Sequence, residues 1–341
     1  MYYFLLHSMT FMRSFIPLII EGNKRGIKSK IFYDKGSKKS STDLQCPVAS
    51  LNKLREYSKK YNFDIDHINQ FDYDLKVLFL IEGCLLSKIN LKDRKFKIIS
   101  LTYCLDYVFL YSNYIKNIDY CIFSEKKEDI EKYFLTQHKS LDNFYDDKNL
   151  FLGESKFDIE YNREKIIEKY GLPRDQIYVL LLLPVTDYIK NNRNIRYLFD
   201  ILEYLSNKYF VILKTRNKHD YPNHLIKKFP KNCKYINDIE WFPHPTIELT
   251  HISEFVVNCN SSQFLEADML ETATIFVKFQ GGLNRRDWIF SDRIMNNRKE
   301  IKNTNMVDFI KSTEKIIDKK EINTNFSHIS RNILNLVDDT N

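Results

Sequence analysis

Short apolar runs alternate with segments of helical periodicity along the N-terminal half of the chain. The apolar runs predict strands at residues 2–6, 30–33, 77–81, 97–101, 120–123 and 150–152. Apolar residues at helical spacing predict helices at residues 9–25, 48–61, 105–118 and 125–134. Strands that are apolar throughout and alternate with helices are typical of a parallel sheet covered on both faces.

The alternation stops and then restarts, which predicts a second domain. Residues 136–149 are polar and lack periodicity, as in a loop near a domain boundary. Beyond them the pattern predicts strands at 178–183, 209–213 and 234–236, and helices at 160–170, 193–207, 246–251, 306–317 and 326–337. A chain of 341 residues is long enough for two domains of ordinary size.

The predicted fold class is therefore α/β, with two doubly wound Rossmann-like domains that face a cleft. We place the N-terminal domain at residues 1–153 and the C-terminal domain at 154–305. The helices within residues 306–341 are predicted to pack back toward the N-terminal domain.

Residues 254–279 form the most informative unit of the chain. An apolar run ends at the small polar group Asn258–Ser262, a short helical pattern with Glu266 in its first turn follows, and an apolar run at 273–277 closes a compact βαβ unit. Free N–H groups and the positive end of the helix dipole favour an anion at such a turn. Ser261 and Ser262 are thus candidate donors to a phosphate, and Glu266 a candidate acceptor from ribose hydroxyls. An N-cap at Ser262 with Glu266 as its capping partner explains the same residues, and both interpretations stay open here.

Polar residues that follow the predicted strands are the other candidates, because ligands of open α/β sheets bind beyond the carboxyl ends of the strands. In the N-terminal half these residues include His7, Glu82 and Asp106, whose side chains are of the kind that act as a general base. A purely structural role is the alternative for each of the three.

In the C-terminal half the residues after the strands suit a phosphate. They include Thr186, Lys214 and Arg216, which offer a hydroxyl and two cations. A lysine or arginine at the end of a buried strand is also common on protein surfaces, so an ordinary solvated role is the alternative.

Composition and charge exclude several classes of protein. The formal net charge of +7 is mild for this length and arises from dispersed Lys and Arg residues. Nucleic-acid binders concentrate basic charge on one face or in one motif, and no such motif is present, so we expect no nucleic-acid partner. A modest positive charge suits anionic small molecules or a lipid surface, which leaves a peripheral membrane contact open.

The chain also lacks the motifs of several common classes. Its six cysteines include no CxxC pair and its eight histidines lack metal-ligand spacing, so we expect reduced thiols and no metal. The sequence contains no GxGxxG, P-loop or GxSxG motif, which argues against dinucleotide dehydrogenases, P-loop hydrolases and serine hydrolases. No stretch approaches the roughly 20 apolar residues that span a bilayer, and the apolar start lacks the features of a signal peptide. A cytoplasmic protein is the expectation.

At this point three segments resemble the donor domain of GT-B glycosyltransferases. FLGESKFD at 151–158, followed by a helix and YVLLLLP at 178–184, is similar to a linker of that superfamily. FVILKTRNK at 210–218 is similar to its strand with a basic end, and residues 248–279 are similar to its segment with a serine turn and a glutamate. The nearest groups are polysaccharide-type transferases, CDP-glycerol glycerophosphotransferases and UDP-GlcNAc 2-epimerases.

The resemblance implies roles for several residues. In that superfamily the serine turn binds donor phosphates and the glutamate binds ribose, which would be Ser261, Ser262 and Glu266 here. The nucleotide base lies against the loop that corresponds to residues 241–246, so that Phe242 and His244 are candidate base contacts. Packing between domains is the alternative for this aromatic cluster.

Two positions depart from the family pattern. The usual Gly-Lys-Pro after the helix is replaced by Glu271–Ala273, and a His-Gly pair that follows an N-domain strand in the glycerophosphate group is replaced by Thr102 and Tyr103. The second departure leaves the catalytic base open among the three N-terminal candidates.

The resemblance implies a hexosyltransferase-like enzyme of polysaccharide biosynthesis. It would move a sugar from a nucleotide-diphosphate sugar donor to a glycan or glycolipid hydroxyl without a metal or other cofactor. The alternatives are a sugar-nucleotide 2-epimerase and a non-catalytic protein that binds nucleotide sugars or glycans.

Overall fold

The computed structural model of the protein describes residues 1–34, 51–102, 115–124, 127–128, 130–131, 147–159, 161–184, 186–215, 221–237, 240–259, 264–279, 305–316 and 328–338. The helices predicted at 105–118 and 125–134 lie largely outside these residues, as does the start of the helix predicted at 48–61.

The chain divides into two compact units. The first comprises Met1–Ile159, Trp241–Pro243 and Phe326–Asn341. The second comprises Glu160–Glu240 and His244–Asn325. The first unit therefore ends six residues beyond the boundary predicted from the sequence, and it also includes three residues from the middle of the C-terminal half.

The first unit contains a seven-stranded parallel sheet. Its strands in chain order are β1 (Tyr2–Leu6), β2 (Ser29–Tyr33), β3 (Asp64–His67), β4 (Val77–Ile81), β5 (Lys97–Leu101), β6 (Tyr120–Ile122) and β7 (Asn149–Leu150). They lie side by side in the order β3-β2-β1-β4-β5-β6-β7. The direction of strand addition thus reverses between β1 and β4, which creates a topological switch point.

The second unit repeats this arrangement with five strands. They are β8 (Tyr178–Leu182), β9 (Phe210–Lys214), β10 (Cys233–Ile236), β11 (Phe255–Asn258) and β12 (Ala273–Phe276). They are parallel and lie in the order β10-β9-β8-β11-β12, so the switch point falls between β8 and β11. The predicted α/β fold with two Rossmann-like domains is confirmed.

Helices connect the strands of both sheets. In chain order they are α1 (Met12–Lys24), α2 (Leu51–Tyr61), α3 (Arg163–Lys169), α4 (Asn192–Ser206), α5 (Asn223–Ile226), α6 (Pro245–Ile252), α7 (Phe264–Met269), α8 (Met306–Ile316) and α9 (Ile329–Asp338). Among the described helices, none has the length and apolarity that a membrane span requires.

Each sheet has a hydrophobic core on both of its faces, as the uniformly apolar strands predict. In the first unit the rings of Phe4 and Phe79 stack with centroids 5.1 Å apart, and Phe15 of α1 packs on Phe4 at the same centroid distance. In the second unit Leu180 and Leu182 contribute to the core on one face, while Val179 and Leu181 contribute to the core on the other.

Strand β3 was missed in the prediction from sequence. Its sequence DIDH has one apolar residue, and the strand lies at the edge of the sheet, where it pairs with β2 alone. An edge strand with charged residues is a common protection against pairing with other chains. Lys30 of β2 pairs with Asp66 across the two strands at 2.9 Å, so the polar pattern that conceals this strand also helps to fix it.

The two C-terminal helices belong to different units, although the sequence pattern groups them together. Helix α8 contributes the buried ring of Phe309 to the second unit, edge-on to Tyr204 of α4. Helix α9 buries Ile333 and Leu334 in the first unit. The amphipathic pattern of each helix predicts that it packs, but it does not identify the surface that it covers.

Buried polar contacts hold α6 in place in the second unit. The carboxylate of Glu248 on α6 accepts hydrogen bonds from the ammonium of Lys169 at 2.6 Å and the hydroxyl of Tyr170 at 2.7 Å. At the end of the same helix, His251 stacks on Tyr161 with ring centroids 4.5 Å apart. Helix α6 is thus tied at both ends to the segment that includes α3.

Substitution of Gly153 by alanine is expected to destabilise the first unit. Gly153 has a φ angle of +89°, and a Cβ atom there would meet the Cδ1 atom of Ile329 at 3.1 Å. Left-handed backbone alone costs an alanine about 1 to 2 kcal/mol, and the close contact adds to that cost. Urea unfolding followed by the fluorescence of Trp241, in a Trp288→Phe background, measures the loss within this unit.

Gly26→Ala is the matched control for this prediction. Gly26 has a φ angle of +71° in the same unit, but nothing lies within 4 Å of the position that a Cβ atom would take there. We expect Gly153→Ala to lower the free energy of unfolding more than Gly26→Ala does. When it is combined with Gly153→Ala, Ile329→Val should recover part of the difference, because it removes the contacting Cδ1 atom. Equal losses for the two alanine variants would contradict the contribution of Ile329.

A pH dependence of stability is expected from His251. Burial, and secondarily the charge of Arg163, lower the pKa of His251 from its ordinary value of 6.5. Below that pH the unfolded chain binds a proton that the folded chain resists, so the unfolding free energy falls as the pH drops through 6.5 toward the folded pKa. His251→Phe preserves the stacking on Tyr161 but removes this titration. Unfolding at about pH 7.5 and about pH 5.5 should show a smaller pH loss for the variant than for the wild type, and parallel profiles would refute the prediction.

Candidate active site

The carboxyl edge of the second sheet brings together residues that lie far apart in the sequence. At the switch point Leu182 of β8 pairs in register with Lys214 of β9 on one side and with Asn258 of β11 on the other. These three residues form a level row, which we call the donor row. In parallel strands, residues at the same level direct their side chains to the same face of the sheet. Leu182 belongs to the core that also contains Leu249 of α6 and Ala267 of α7, so the donor row faces these helices.

Lys214 is the cation of the donor row. Its side chain is buried, and its ammonium donates a hydrogen bond to the carbonyl of Thr215 at 3.1 Å. Withdrawal of an ammonium from water is costly unless charged or polar partners compensate for it. A lysine at this edge of an open α/β sheet is also in a position to contact an anionic ligand.

Asn258 is a site residue that the prediction from sequence did not single out. It ends β11 at the switch point and is fully buried. The available signal is a lone amide at the end of an otherwise apolar strand, where polar groups of α/β proteins meet ligands. Asparagine is also a common turn residue, and for that reason the signal is easily dismissed.

Three of the predicted donor contacts, Arg216, Ser261 and Ser262, lie outside the described residues. Thr186 is half-buried in the turn that follows β8. Its neighbour Asp187 pairs with Lys190 at 2.6 Å on the protein surface.

Glu266 and His244 lie side by side in the second unit. Glu266 is in the first turn of α7, and His244 is the residue that precedes α6. The Nδ1 atom of His244 is 3.8 Å from Oε2 of Glu266, and both side chains are only 4% exposed. Both residues were predicted from the sequence to bind a ligand, but their contact with each other was not predicted.

Phe242 is placed with the first unit instead. Its carbonyl accepts a hydrogen bond from the hydroxyl of Tyr61 at 3.1 Å, and its ring lies edge-on to the ring of Tyr61 with centroids 5.8 Å apart. The backbone N–H of Trp241 donates to the hydroxyl of Tyr57 at 2.9 Å. Both aromatic side chains of this segment are buried in the core that α2 helps to form.

The first unit has its own carboxyl edge, and two of the predicted bases follow the strands on either side of its switch point. His7 comes directly after β1 and Glu82 directly after β4, and these two strands pair in parallel. His7 is buried, and its ring lies 4.7 Å from that of Phe11. The third candidate, Asp106, lies outside the described residues.

Glu82 occupies a backbone conformation that non-glycine residues rarely adopt. Its φ angle is +52°, and Gly83 follows with a φ angle of +76°. The backbone N–H of Glu82 donates to the hydroxyl of Ser100 at 3.0 Å and to the carbonyl of Leu101 at 3.2 Å, which fixes the turn against β5. Such conformations cost free energy and concentrate at functional sites, which supports Glu82 as a functional residue.

Further charged residues near this edge were also missed. Asp34 follows β2 and pairs with Lys88. Glu154 pairs with Lys156 at 2.6 Å, and its other oxygen accepts a hydrogen bond from Ser14 of α1 at 3.2 Å. Both carboxylates come shortly after a strand, which is the signal that could have identified them.

The described residues contain no cluster of three or more His, Cys, Asp or Glu side chains that could hold a metal ion. Four cysteines among them are free thiols, namely Cys84, Cys121, Cys233 and Cys259. Burial raises the pKa of the Cys233 thiol to about 12 and that of Cys259 further, so neither is a thiolate near neutral pH.

Comparison with solved structures extends over nearly the whole chain. A putative UDP-N-acetylglucosamine 2-epimerase from Listeria monocytogenes is 10% identical, with a TM-score of 0.59 and coverage of 99% of this chain and 96% of that chain. The wall teichoic acid polymerase TagF is 13% identical, with a TM-score of 0.55 and coverage of 99% and 88%. CalG4, the calicheamicin glycosyltransferase, is 10% identical, with a TM-score of 0.53 and coverage of 99% and 97%.

No protein-family model and no curated protein sequence matches the chain. Likeness at 10% to 13% identity establishes the fold and leaves the chemistry to the residues of the site. The chain has the two Rossmann-like α/β units of the GT-B fold, which glycosyltransferases and UDP-GlcNAc 2-epimerases share.

Proposed function

We propose that the protein is a glycosyltransferase that moves a sugar from a nucleotide-diphosphate donor to a hydroxyl of a glycan or glycolipid. The observation that carries the proposal is the donor row, in which Lys214 and Asn258 lie level on either side of Leu182, next to the switch point of the second sheet. Open α/β sheets bind ligands at this point. A buried cation and a buried amide at that place suit a phosphate-bearing ligand.

The donor would bind through its diphosphate and its ribose. Lys214 would contact the diphosphate, and we propose Thr186, Arg216, Ser261 and Ser262 as further contacts. Glu266 would accept hydrogen bonds from the ribose hydroxyls, because a carboxylate that accepts two such bonds matches a vicinal diol.

Transfer also requires a base for the acceptor hydroxyl. We propose His7 or Glu82, which directly follow β1 and β4, the strands on either side of the switch point of the first sheet. The base would remove the hydroxyl proton as the acceptor oxygen attacks the anomeric carbon and the bond to the nucleoside diphosphate breaks. Lys214 and Arg216 would stabilise the charge on the departing diphosphate, so the proposed reaction needs no metal.

A 2-epimerase is the second candidate. Its support is the likeness to the putative UDP-N-acetylglucosamine 2-epimerase from Listeria. Proton movement at C2 needs two proton-transferring side chains, for which His7 and Glu82 would be the candidates. An epimerase converts the sugar nucleotide without an acceptor, so the products separate the two activities.

Incubation with UDP-, CDP-, GDP- and ADP-sugars tests the proposal directly. A transferase releases the nucleoside diphosphate, faster with a glycan or glycolipid acceptor, whereas an epimerase forms the 2-epimer and can release UDP without an acceptor. Binding of a nucleotide sugar without either product would indicate a non-catalytic binding protein and would reject the transferase.

Lys214→Met should weaken nucleoside diphosphate binding by about tenfold or more, because a hydrogen bond to a charged group is worth about 1.5 to 3 kcal/mol. Isothermal titration calorimetry measures the affinity, and thermal unfolding of the unliganded variant checks that it folds.

Lys208→Met is the matched control for Lys214→Met. Lys208 is exposed after α4, where its ammonium contacts the hydroxyl of Tyr204 at 3.0 Å. This substitution should leave nucleotide affinity unchanged. Equal affinities for the Lys214 and Lys208 variants would remove Lys214 from the donor site.

Replacement of the catalytic base should lower turnover by about 100-fold or more while donor affinity is retained. We expect this result for His7→Gln or for Glu82→Gln, since one of the two residues is the proposed base. Initial rates and calorimetry with the same donor separate the effects. His224→Gln, which alters an exposed histidine of the second unit, should behave as the wild type. Full turnover in both His7→Gln and Glu82→Gln would eliminate these bases.

A further inference from the structure

The pair formed by His244 and Glu266 has a geometry that suits a specific task. His244 is predicted from the sequence to contact the nucleotide base, and its side chain, like that of Glu266, is only 4% exposed. Its Nδ1 atom lies 3.8 Å from the Glu266 carboxylate. This separation is longer than a hydrogen bond, so the two side chains are neighbours without a direct hydrogen bond between these two atoms.

We propose that His244 is a positioning residue that orients the carboxylate of Glu266 toward the ribose diol of the donor nucleotide. The inference rests on the proposed function, since it presumes a nucleotide at the carboxyl edge of the second sheet. A glutamate has three rotatable side-chain bonds, and a neighbour that restrains it before the ligand arrives lowers the entropic cost of binding. His244 would therefore affect ribose recognition without contacting the ligand.

The position of His244 is itself fixed by the start of α6. Its carbonyl accepts hydrogen bonds from the N–H groups of Ile247 at 3.0 Å and Glu248 at 3.2 Å, and Pro245 follows it as the first helical residue. The helix is held in turn by the bonds from Lys169 and Tyr170 to the Glu248 carboxylate. A side chain on such a support keeps its geometry better than one on an open loop.

Charged residues of the segments that hold α6 have contacts of their own. On the side of α3, Lys169 is engaged with Glu248, and Arg163 donates to the carbonyl of Ile252 at 2.8 Å. His251 at the far end of α6 stacks on Tyr161. His244, at the near end of the same helix, is the residue whose ring lies beside the Glu266 carboxylate.

The test compares three probes on the same protein. They are the nucleoside diphosphate that binds the wild type most tightly among UDP, CDP, GDP and ADP, its 2′,3′-dideoxy analogue, and inorganic diphosphate. His244→Ala should weaken binding of the ribonucleotide about tenfold and leave the other two affinities unchanged, because only the ribonucleotide carries the diol. Glu266→Gln should show the same pattern, and the double variant should lose no more than Glu266→Gln alone.

A conservative variant and a matched control distinguish positioning from folding. His244→Asn can place an amide nitrogen near the position of Nδ1, so it should restore part of the ribonucleotide affinity relative to His244→Ala. If His244→Ala does not fold, His244→Asn should still show a ribonucleotide-specific loss. His251→Phe, on the same helix, should bind all three probes as the wild type does.

Each outcome decides the proposal. Equal weakening of all three probes by His244→Ala would reveal a merely structural role and overturn the inference, as would unchanged affinities or additive losses in the double variant. Failure of the wild type to bind any nucleoside diphosphate would remove the proposed function and the inference together. Wild-type binding that does not discriminate the ribonucleotide from its dideoxy analogue would reject the ribose role of Glu266 and leave the donor row standing.

Discussion

The parallel hydrogen-bond ladder of each sheet is the constraint on which the rest of the structure depends. A parallel sheet must cover both faces with helices, so its apolar strands are buried and its faces are closed to ligands. Ligands bind beyond the carboxyl ends of the strands instead. At the point of that edge where the strand order reverses, the loops that follow the two neighbouring strands run in opposite directions and leave a crevice between them. Both sheets of this protein follow the same order through the switch point, so both have one privileged position. The register then determines which residues meet there.

Burial of polar and charged side chains near the carboxyl edges of the two sheets costs free energy of folding. Lys214 and Asn258 are buried in the second unit, and the pair of Glu154 with Lys156 is buried in the first. Removal of charges from water rarely stabilises a protein more than apolar packing of the same volume would. Glu154 and Lys156 form an ion pair, and Lys214 ends β9 at the carboxyl edge of its sheet, where open α/β sheets bind ligands. That position favours an anionic ligand at the donor row over a purely structural explanation.

Much of the fold was predictable because its strongest determinants are local. Strands such as β4 and β8 are apolar at every position, and the residues between them repeat at helical spacing, so their existence and order follow from the pattern alone. Strand β3 was not predicted from the sequence, because an edge strand pairs with only one neighbour and can retain polar side chains. That residues 241–243 belong to the first unit was not predicted either, for a different reason. It depends on bonds to Tyr57 and Tyr61, which lie 184 and 181 residues from their partners in the chain, and no local pattern encodes such pairings.

The candidate site was likewise predictable only in part: single residues could be named, but their contacts with each other could not. Lys214 and Glu266 could be named from the sequence because each follows a recognisable apolar run. The level alignment of Lys214 with Asn258 and the approach of His244 to Glu266 could not, since both depend on register and helix packing between distant segments. Solved structures with 10% to 13% identity have the same fold, so the fold tolerates replacement of most side chains. We therefore expect the specificity of the protein to reside in the few side chains that the register brings to these two edges, and substitutions there should change chemistry more than stability.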